Sequence, residues 1–283
     1  MAQLLGHRGI EAEARATQGP NEATRLAREA VARGADIIIS YGGDGTLNEV
    51  IQGMAGSRAA LAVWAGGTAN VAARDLGLML DIEKLADVIA AGKTTRIALG
   101  IARACGEAGS TQFAAESQMK ERYFLMFAGI GLDASIARNV NLKLKRRTGE
   151  FAFWVSGIKH MATWVAEPFS VEVDGKKYES IFTLIGNGKG YGGGISITPN
   201  ARLEDPWFEV SIFPPRANNL AYLPDLAKCL RGHPGKSSAT IVRGRHVRAN
   251  SSREPLVEVD GEVIGPLPME FDIAPEALDI IVP

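Results

Sequence analysis

The sequence predicts an α/β N-terminal part built on a parallel sheet, followed by an all-β part. Three observations predict it. Two short apolar runs, 36–41 and 61–65, each pass through a glycine turn into an apolar pattern at helical spacing, and consecutive units of this kind make a parallel sheet. From about residue 96 that spacing gives way to short strand-like runs separated by turns. The chain has 283 residues, 46% of them hydrophobic, enough for two units of ordinary size and a real core.

The elements follow in order. Thr17-Gln18-Gly19-Pro20 reads as a turn, and 21–33, Ala-rich with its charges on one face and closed by Gly34, as an amphipathic surface helix. Asp36–Tyr41 reads as a buried strand, with Gly42-Gly43-Asp44-Gly45 as the turn after it. Leu47, Val50, Ile51 and Met54 mark the next helix, and Thr46 and Glu49 are spaced as a capping box that would start it just after the turn. Leu61–Ala65 repeats the strand, Gly66-Gly67-Thr68-Ala69-Asn70 the turn and 71–76 the helix. Residues 82–91 form a short helix ended by Gly92. Beyond 96 the runs Tyr123–Ala128, Phe169–Val173, Ile181–Ile185, Phe208–Phe213 and Leu256–Val259 are strand-like, Asp174-Gly175 is a turn and 232–238 a loop.

Both glycine turns would lie at the carboxyl ends of their strands, where open α/β sheets bind ligands. Glycine lets the main chain turn sharply and approach a ligand closely. The first amides of the helix that follows suit a phosphate. Asp44 would then stand beside bound phosphate, which calls for a divalent ion, a partner cation or a proton to accept. Taken alone, Gly-Gly-Asp-Gly describes a plain surface turn equally well; the second copy favours the ligand site.

Bulk properties narrow the function. Basic and acidic residues number 31 and 32, a net charge of −1, which argues against a nucleic-acid footprint. Cys105 and Cys229 have no paired spacing, so a reducing compartment is expected, with neither a zinc site nor a disulfide frame. The N-terminus lacks the apolar core of a signal peptide, and no apolar run reaches the ~20 residues of a membrane span. A soluble chain is expected.

The pair formed by 42–50 (Gly-Gly-Asp-Gly-Thr-Leu-Asn-Glu-Val) and 67–78 (Gly-Thr-Ala-Asn-Val-Ala-Ala-Arg-Asp-Leu-Gly-Leu) resembles the diacylglycerol kinase catalytic domain family, which includes bacterial soluble lipid kinases and the sphingosine and ceramide kinases. The resemblance continues through Gly129-Ile130-Gly131-Leu132-Asp133, the glycine-rich 186–194 and Asp260-Gly261-Glu262. It implies a three-layer nucleotide-binding α/β domain at 1–95, a sandwich-like lipid-substrate domain at 96–265, and a segment, 266–283, returning to the first domain. The implied activity is ATP-dependent phosphorylation of a membrane-lipid hydroxyl. The chain would be cytoplasmic and peripheral at the inner membrane face, touching the membrane surface transiently; a homodimer is left open.

The resemblance also implies residue roles. Thr17, Gly42, Gly43, Asp44, Gly45, Thr46, Asn48, Glu49, Gly67, Thr68, Asn70 and Asp133 would contact ATP and its Mg²⁺. Thr46, Asn48 and Thr68 would donate to phosphate oxygens, and Asp44 and Asp133 would hold the ion through water. The proton acceptor maps onto Glu262, with Asp260 beside it, as in the bacterial branch; the sphingosine kinases would place it at Asp44. A hairpin turn accounts for 260–262 equally well, as a helix-start turn does for Thr17. A structural ion site would use Asp205 with the carbonyls of Arg202 and Trp207. Three departures stand out. The chain begins downstream of the strand and Asn-Pro-x-x-Gly turn with which relatives open, so a fragment or a late start one strand short is expected. Val71 replaces an aspartate, and Pro206 a glycine.

Other motifs resolve differently. Gly188–Gly193 matches a dinucleotide fingerprint by letter, but no helix follows, and Gly235-Lys236-Ser237 lacks the first glycine of a P-loop. The histidines His7, His160, His233 and His246 have no ligand spacing. Residues 142–154, basic then aromatic, suit either an anionic membrane surface or a solvated loop. Arg243, Arg245, His246 and Arg248 alternate along one expected strand, as a basic or simply solvated face. Two other readings remain: a catalytically weak nucleotide- or lipid-binding protein, favoured by the three departures, and an NAD kinase, which shares the first turn but not the second.

Overall fold

The computed structural model describes residues 1–105, 121–132, 134–135, 164, 167–191, 196–217, 219–230 and 237–283. The N-terminal part is α/β. Helix α1 (Ala2–Gly6) precedes α2 (Glu22–Ala32), and strand β1 (Ile37–Gly42) leads to α3 (Asp44–Met54). Strand β2 (Ala60–Ala65) leads to α4 (Val71–Asp75), and α5 (Ile82–Ala91) follows. The β-rich part has β3 (Thr94–Ala104), β4 (Glu121–Phe124), β5 (Phe127–Gly131), β6 (Phe169–Val173), β7 (Lys176–Ser180), β8 (Phe182–Gly186) and β9 (Phe208–Phe213). Helix α6 (Leu223–Leu230), which the sequence reading did not foresee, precedes β10 (Thr240–Gly244), β11 (His246–Asn250), β12 (Leu256–Val259), β13 (Glu262–Pro266) and the long β14 (Met269–Ile281).

Two sheets carry these strands. The first, mixed and eight-stranded, runs β1-β2-β14-β11-β6-β7, with β3 pairing β14 and β4 pairing β3. The second runs β10-β9-β8-β5-β12-β13 and is antiparallel throughout. The parallel pairs β1–β2 and β2–β14 meet the antiparallel region within the first sheet. The chain end therefore returns to the α/β part: Asp279 and Ile280 of β14 pair with Ala60 and Leu61 of β2. Alternating apolar residues of both sheets form the sandwich core, among them Phe124, Val171, Val247 and Phe271 from the first and Ile130, Phe208, Val210 and Val257 from the second; apolar residues alternating along strands and buried between two faces are what hold such a sandwich.

Three local expectations need correction. The run 123–128 is not one strand. The chain leaves the first sheet after Phe124 and enters the second at Phe127, because the N–H groups of Leu125 and Met126 turn to the Asp260 carboxylate at 2.8 and 2.9 Å instead of a neighbouring strand. The alternating basic residues do not share a strand either. β10 belongs to the second sheet and β11 to the first, and Asp174 stabilises the switch by accepting from the N–H groups of Arg245 and His246. No basic face results: Arg243 stacks on Trp207, His246 bonds Asp272 and Arg248 pairs with Glu270.

Third, Thr46 and Glu49 form no capping box. Helix α3 starts inside the glycine motif, with Gly43 at its N-cap and no side-chain cap. Glu49 instead accepts from the Ala23 N–H at 3.1 Å, at the start of α2. That end needs an outside acceptor, because Asn21, at the α2 N-cap, is left-handed and makes no side-chain cap. Thr24 adds a hydroxyl bond to the Glu49 carbonyl at 2.8 Å. Among the described residues no helix is long and apolar enough to cross a membrane.

Candidate active site

The two glycine turns lie side by side. β1 and β2 are adjacent and parallel, with Gly42 opposite Ala65 at their carboxyl ends. The Gly66 N–H donates to the Gly42 carbonyl at 2.8 Å. A β-carbon on Gly67 would stand 2.5 Å from the Gly43 Cα, so the turns can lie this close only because residue 67 is glycine. Asn70 closes the second turn reciprocally: its side-chain oxygen accepts from the Gly67 N–H at 2.9 Å, and its amide donates to the Gly67 carbonyl at 2.7 Å. Asp44 joins the two units, one carboxylate oxygen accepting the Val71 N–H at 2.8 Å at the start of α4.

This arrangement suits an anion. The first amides of α3 carry the positive end of an 11-residue helix and meet no side-chain cap. Gly45, Gly67 and Thr68 are exposed beside them, with Thr46 half-buried. The second Asp44 oxygen accepts no hydrogen bond among the described residues, and Asp44 is partly exposed. Val71 cannot add a ligand; its side chain packs toward Gly190, where a β-carbon would come within 3.2 Å. Thr17 is exposed in the segment before α2 and makes no hydrogen bond among the described residues. Asp133 and residues 142–154 lie outside the described residues.

A second cluster sits one turn further along α3. Asn48 is 2% exposed. Its amide donates to Asp260 at 2.9 Å and to the Tyr123 carbonyl at 3.2 Å, and its oxygen accepts from Gln52 at 3.2 Å. With both donors engaged, Asn48 braces the hairpin from α3. Asp260 and Gly261 are the two positive-φ residues of the β12–β13 hairpin turn. The Asp260 carboxylate accepts from the N–H groups of Leu125, Met126 and Phe127 and from Asn48. Burial pushes this carboxyl above the ordinary range, while those donors pull it down. Asn187, wholly buried, holds the same crossover from the other side, donating to the carbonyls of Leu125 at 2.7 Å and Ala98 at 2.9 Å. Glu262 follows two residues later with a half-exposed side chain paired to Arg122.

The sequence reading thus brought together residues of two clusters joined by α3. Asp44 and the glycines form the first; Asn48, Asp260 and Glu262 form the second. It missed Gln52, Arg122 and Asn187, whose partners are distant in the chain and leave no local signature. It also missed the exposed Tyr41 on Trp64, ring centroids 4.1 Å apart, beside the glycine turns; an aromatic at the end of each apolar run was the available signal. At the expected ion site the Asp205 N–H donates to the Arg202 carbonyl at 2.9 Å, closing a turn, and Trp207 carries the Arg243 guanidinium on its ring. Among the described residues no group of three or more His, Cys, Asp or Glu side chains is placed to hold a metal.

Comparisons with known proteins agree with this geometry. Residues 1–102 match the diacylglycerol kinase catalytic domain, and residues 127–282 match the YegS C-terminal NAD kinase beta sandwich-like domain. A diacylglycerol kinase of Bacillus subtilis (strain 168) is 31% identical over 275 residues, covering 95% of this chain and 85% of that protein. One from Staphylococcus carnosus (strain TM300) is 30% identical over 282 residues, covering 97% and 86%. A crystal structure of a diacylglycerol kinase from Bacillus anthracis str. Sterne superposes with a TM-score of 0.76 at 24% identity, over 99% of this chain and 88% of that one, a likeness of fold. With family models matched on both sides of the sandwich crossover and identity sustained over nearly all its length, the chain belongs to the diacylglycerol kinase catalytic domain family and is a kinase of a lipid kinase family.

Proposed function

We propose that the protein is an ATP-dependent lipid kinase that transfers the γ-phosphate to a hydroxyl of a diacylglycerol-like or sphingoid-like lipid presented at a membrane surface. The observation that carries this reading is the contact of Gly43 with Gly67 beside the uncapped N-terminus of α3, where backbone amides and the positive end of the helix favour a phosphate. The names of the relatives support a lipid acceptor. On this reading Asp44 and Asp133 would hold Mg²⁺ through its water shell, and the ion would supply charge neutralisation for the phosphate tail. Glu262 takes the proton as the lipid hydroxyl oxygen bonds to the γ-phosphorus and the bond to ADP breaks. Asp260 is not that base: its oxygens already accept from four N–H donors, and its work is to hold the hairpin on which Glu262 stands.

The test is transfer of radiolabelled γ-phosphate into diacylglycerol, sphingosine and ceramide with Mg²⁺ present. Labelled product from at least one lipid is expected, and none from NAD. Glu262→Gln should lower kcat by about 10²-fold or more with ATP affinity nearly unchanged. Label entering NAD alone would overturn the lipid reading; full turnover in the Gln variant would move the base to Asp44.

A further inference from the structure

Arg122 is built unevenly for a structural ion pair. It lies on β4 with the parity of Phe124, so it points into the sandwich, and it is 6% exposed. Among the described residues its guanidinium has one acidic partner, Glu262, on β13 of the opposite sheet. Its Nε–H has no hydrogen-bond partner there. Glu262 in turn has 56% of its side chain exposed. Burying a cation costs several kcal/mol unless its donors are all satisfied, and one half-wet carboxylate leaves this cation under-compensated. An apolar side chain at 122 would fill the space at least as stably.

What the pairing does achieve is placement. A planar guanidinium fixed in the sandwich wall sets the direction of the carboxylate it holds. It grips one Glu262 oxygen through Nη2, and the half-exposed side chain can turn the other outward. We propose that Arg122 is a positioning residue for the phosphoryl-transfer base, holding the Glu262 carboxylate in place and aimed at the incoming lipid hydroxyl. This rests on the reading of Glu262 as that base.

The other charged groups around the hairpin do not compete for the role. Asp260 is occupied by the Leu125–Phe127 N–H groups and Asn48, and Glu258 accepts the Gly261 N–H at 2.6 Å. Glu121, adjacent on β4, has the opposite parity and pairs with Arg103. Arg122 is the cation of this group.

The test uses the full chain with Arg122→Gln, Arg122→Lys, Glu262→Gln and the Arg122→Gln/Glu262→Gln double variant, assayed by γ-phosphate transfer with kcat and KM for ATP determined separately. Arg122→Gln should lower kcat by about 30-fold and leave KM for ATP within about twofold, because the carboxylate loses the group that aims it. Arg122→Lys should recover about a third or more of the lost rate on a logarithmic scale. In the Glu262→Gln background, Arg122→Gln should cost nothing further. An unchanged kcat in Arg122→Gln, or an additive loss in the double variant, overturns the proposal while leaving Glu262 as base. Full turnover in Glu262→Gln overturns both. If Arg122→Gln does not fold, Arg122→Lys decides: kcat at the wild-type value overturns the proposal, and a reduced kcat with KM for ATP held supports it.

Discussion

Asp260 shows how one carboxylate can look catalytic in a sequence and be architectural in the structure. Asp-Gly-Glu reads both as a site motif and as a hairpin turn, and the turn is real: Asp260 and Gly261 have φ of 48° and 87°. What no local pattern reveals is that the crossover at 125–127 directs three N–H groups into the same carboxylate, because that meeting joins residues more than 130 positions apart. Asp260→Asn places an NH₂ against those N–H donors and should cost about 2–4 kcal/mol in denaturant unfolding; unchanged stability would show that the crossover is held by other bonds. A second residue-scale effect concerns Cys229 on α6. Burial first, then the charge of Asp225, pushes its thiol up from 9.0 to about 11. The folded state therefore keeps the proton to higher pH than the unfolded chain, so the contribution to stability is complete below pH 9 and is lost as the pH rises toward about 11. In that window stability should fall by up to about 1.4 kcal/mol per pH unit more in the wild type than in Cys229→Ala. Parallel unfolding curves at pH 8 and 10.5 measure the difference; equal slopes for the two proteins would place the thiol in a more polar setting.

At the scale of elements, the βα units were legible because each carries its own punctuation: an apolar run, a glycine turn and a helical stripe, all local. Their contact was not legible, since spacing cannot show that Gly43 and Gly67 meet Cα against Cα. Glu49 illustrates the same limit. Its spacing from Thr46 imitates a capping box, yet the N-terminus of α2, 26 positions earlier, takes the carboxylate. The turn contact makes a discriminating prediction. A β-carbon on Gly67 would stand 2.5 Å from the Gly43 Cα and 2.9 Å from the Asn70 side-chain oxygen, whereas one on Gly45 meets nothing within 4 Å. Gly67→Ala should therefore force the turns apart, costing about 1–3 kcal/mol and, on the proposed function, weakening ATP binding by at least about tenfold. Gly45→Ala should leave stability unchanged or raise it by up to about 1 kcal/mol. Calorimetric titration with ATP and urea unfolding of the two variants check this, and equal stability losses would mean that the turns are not in contact.

At the scale of the whole molecule, a cut near residue 95 looks natural in the sequence, since helical spacing ends there, yet the first sheet runs straight across it. The pattern of β14 as a strand is visible only as an apolar tail; its neighbours are not, because they come from β2, β3 and β11, spread over most of the chain. Leu278, Ile280 and Ile281 lie in the same apolar core as Leu61, Val63, Leu85 and Ile89, together with Ile97 and Leu99 of β3. A piece ending at 95 would keep helices α1 to α5 and both glycine turns. It would also expose one edge of β2 and lose five fully or almost fully buried aliphatic side chains from its core. Each such side chain is worth about 1.5–3 kcal/mol when buried, so together they amount to about 7.5–15 kcal/mol, the same size as the roughly 5–15 kcal/mol that holds an ordinary domain folded. Residues 1–95 expressed alone should therefore lack a cooperative thermal transition and dispersed amide resonances, and the full chain should unfold its α/β and β-rich parts in one step. Two separated calorimetric transitions in the full chain, or a folded 1–95 fragment, would show that the scaffold of the glycine turns stands without β14 and that the returning strand serves only to hold the sandwich beside it.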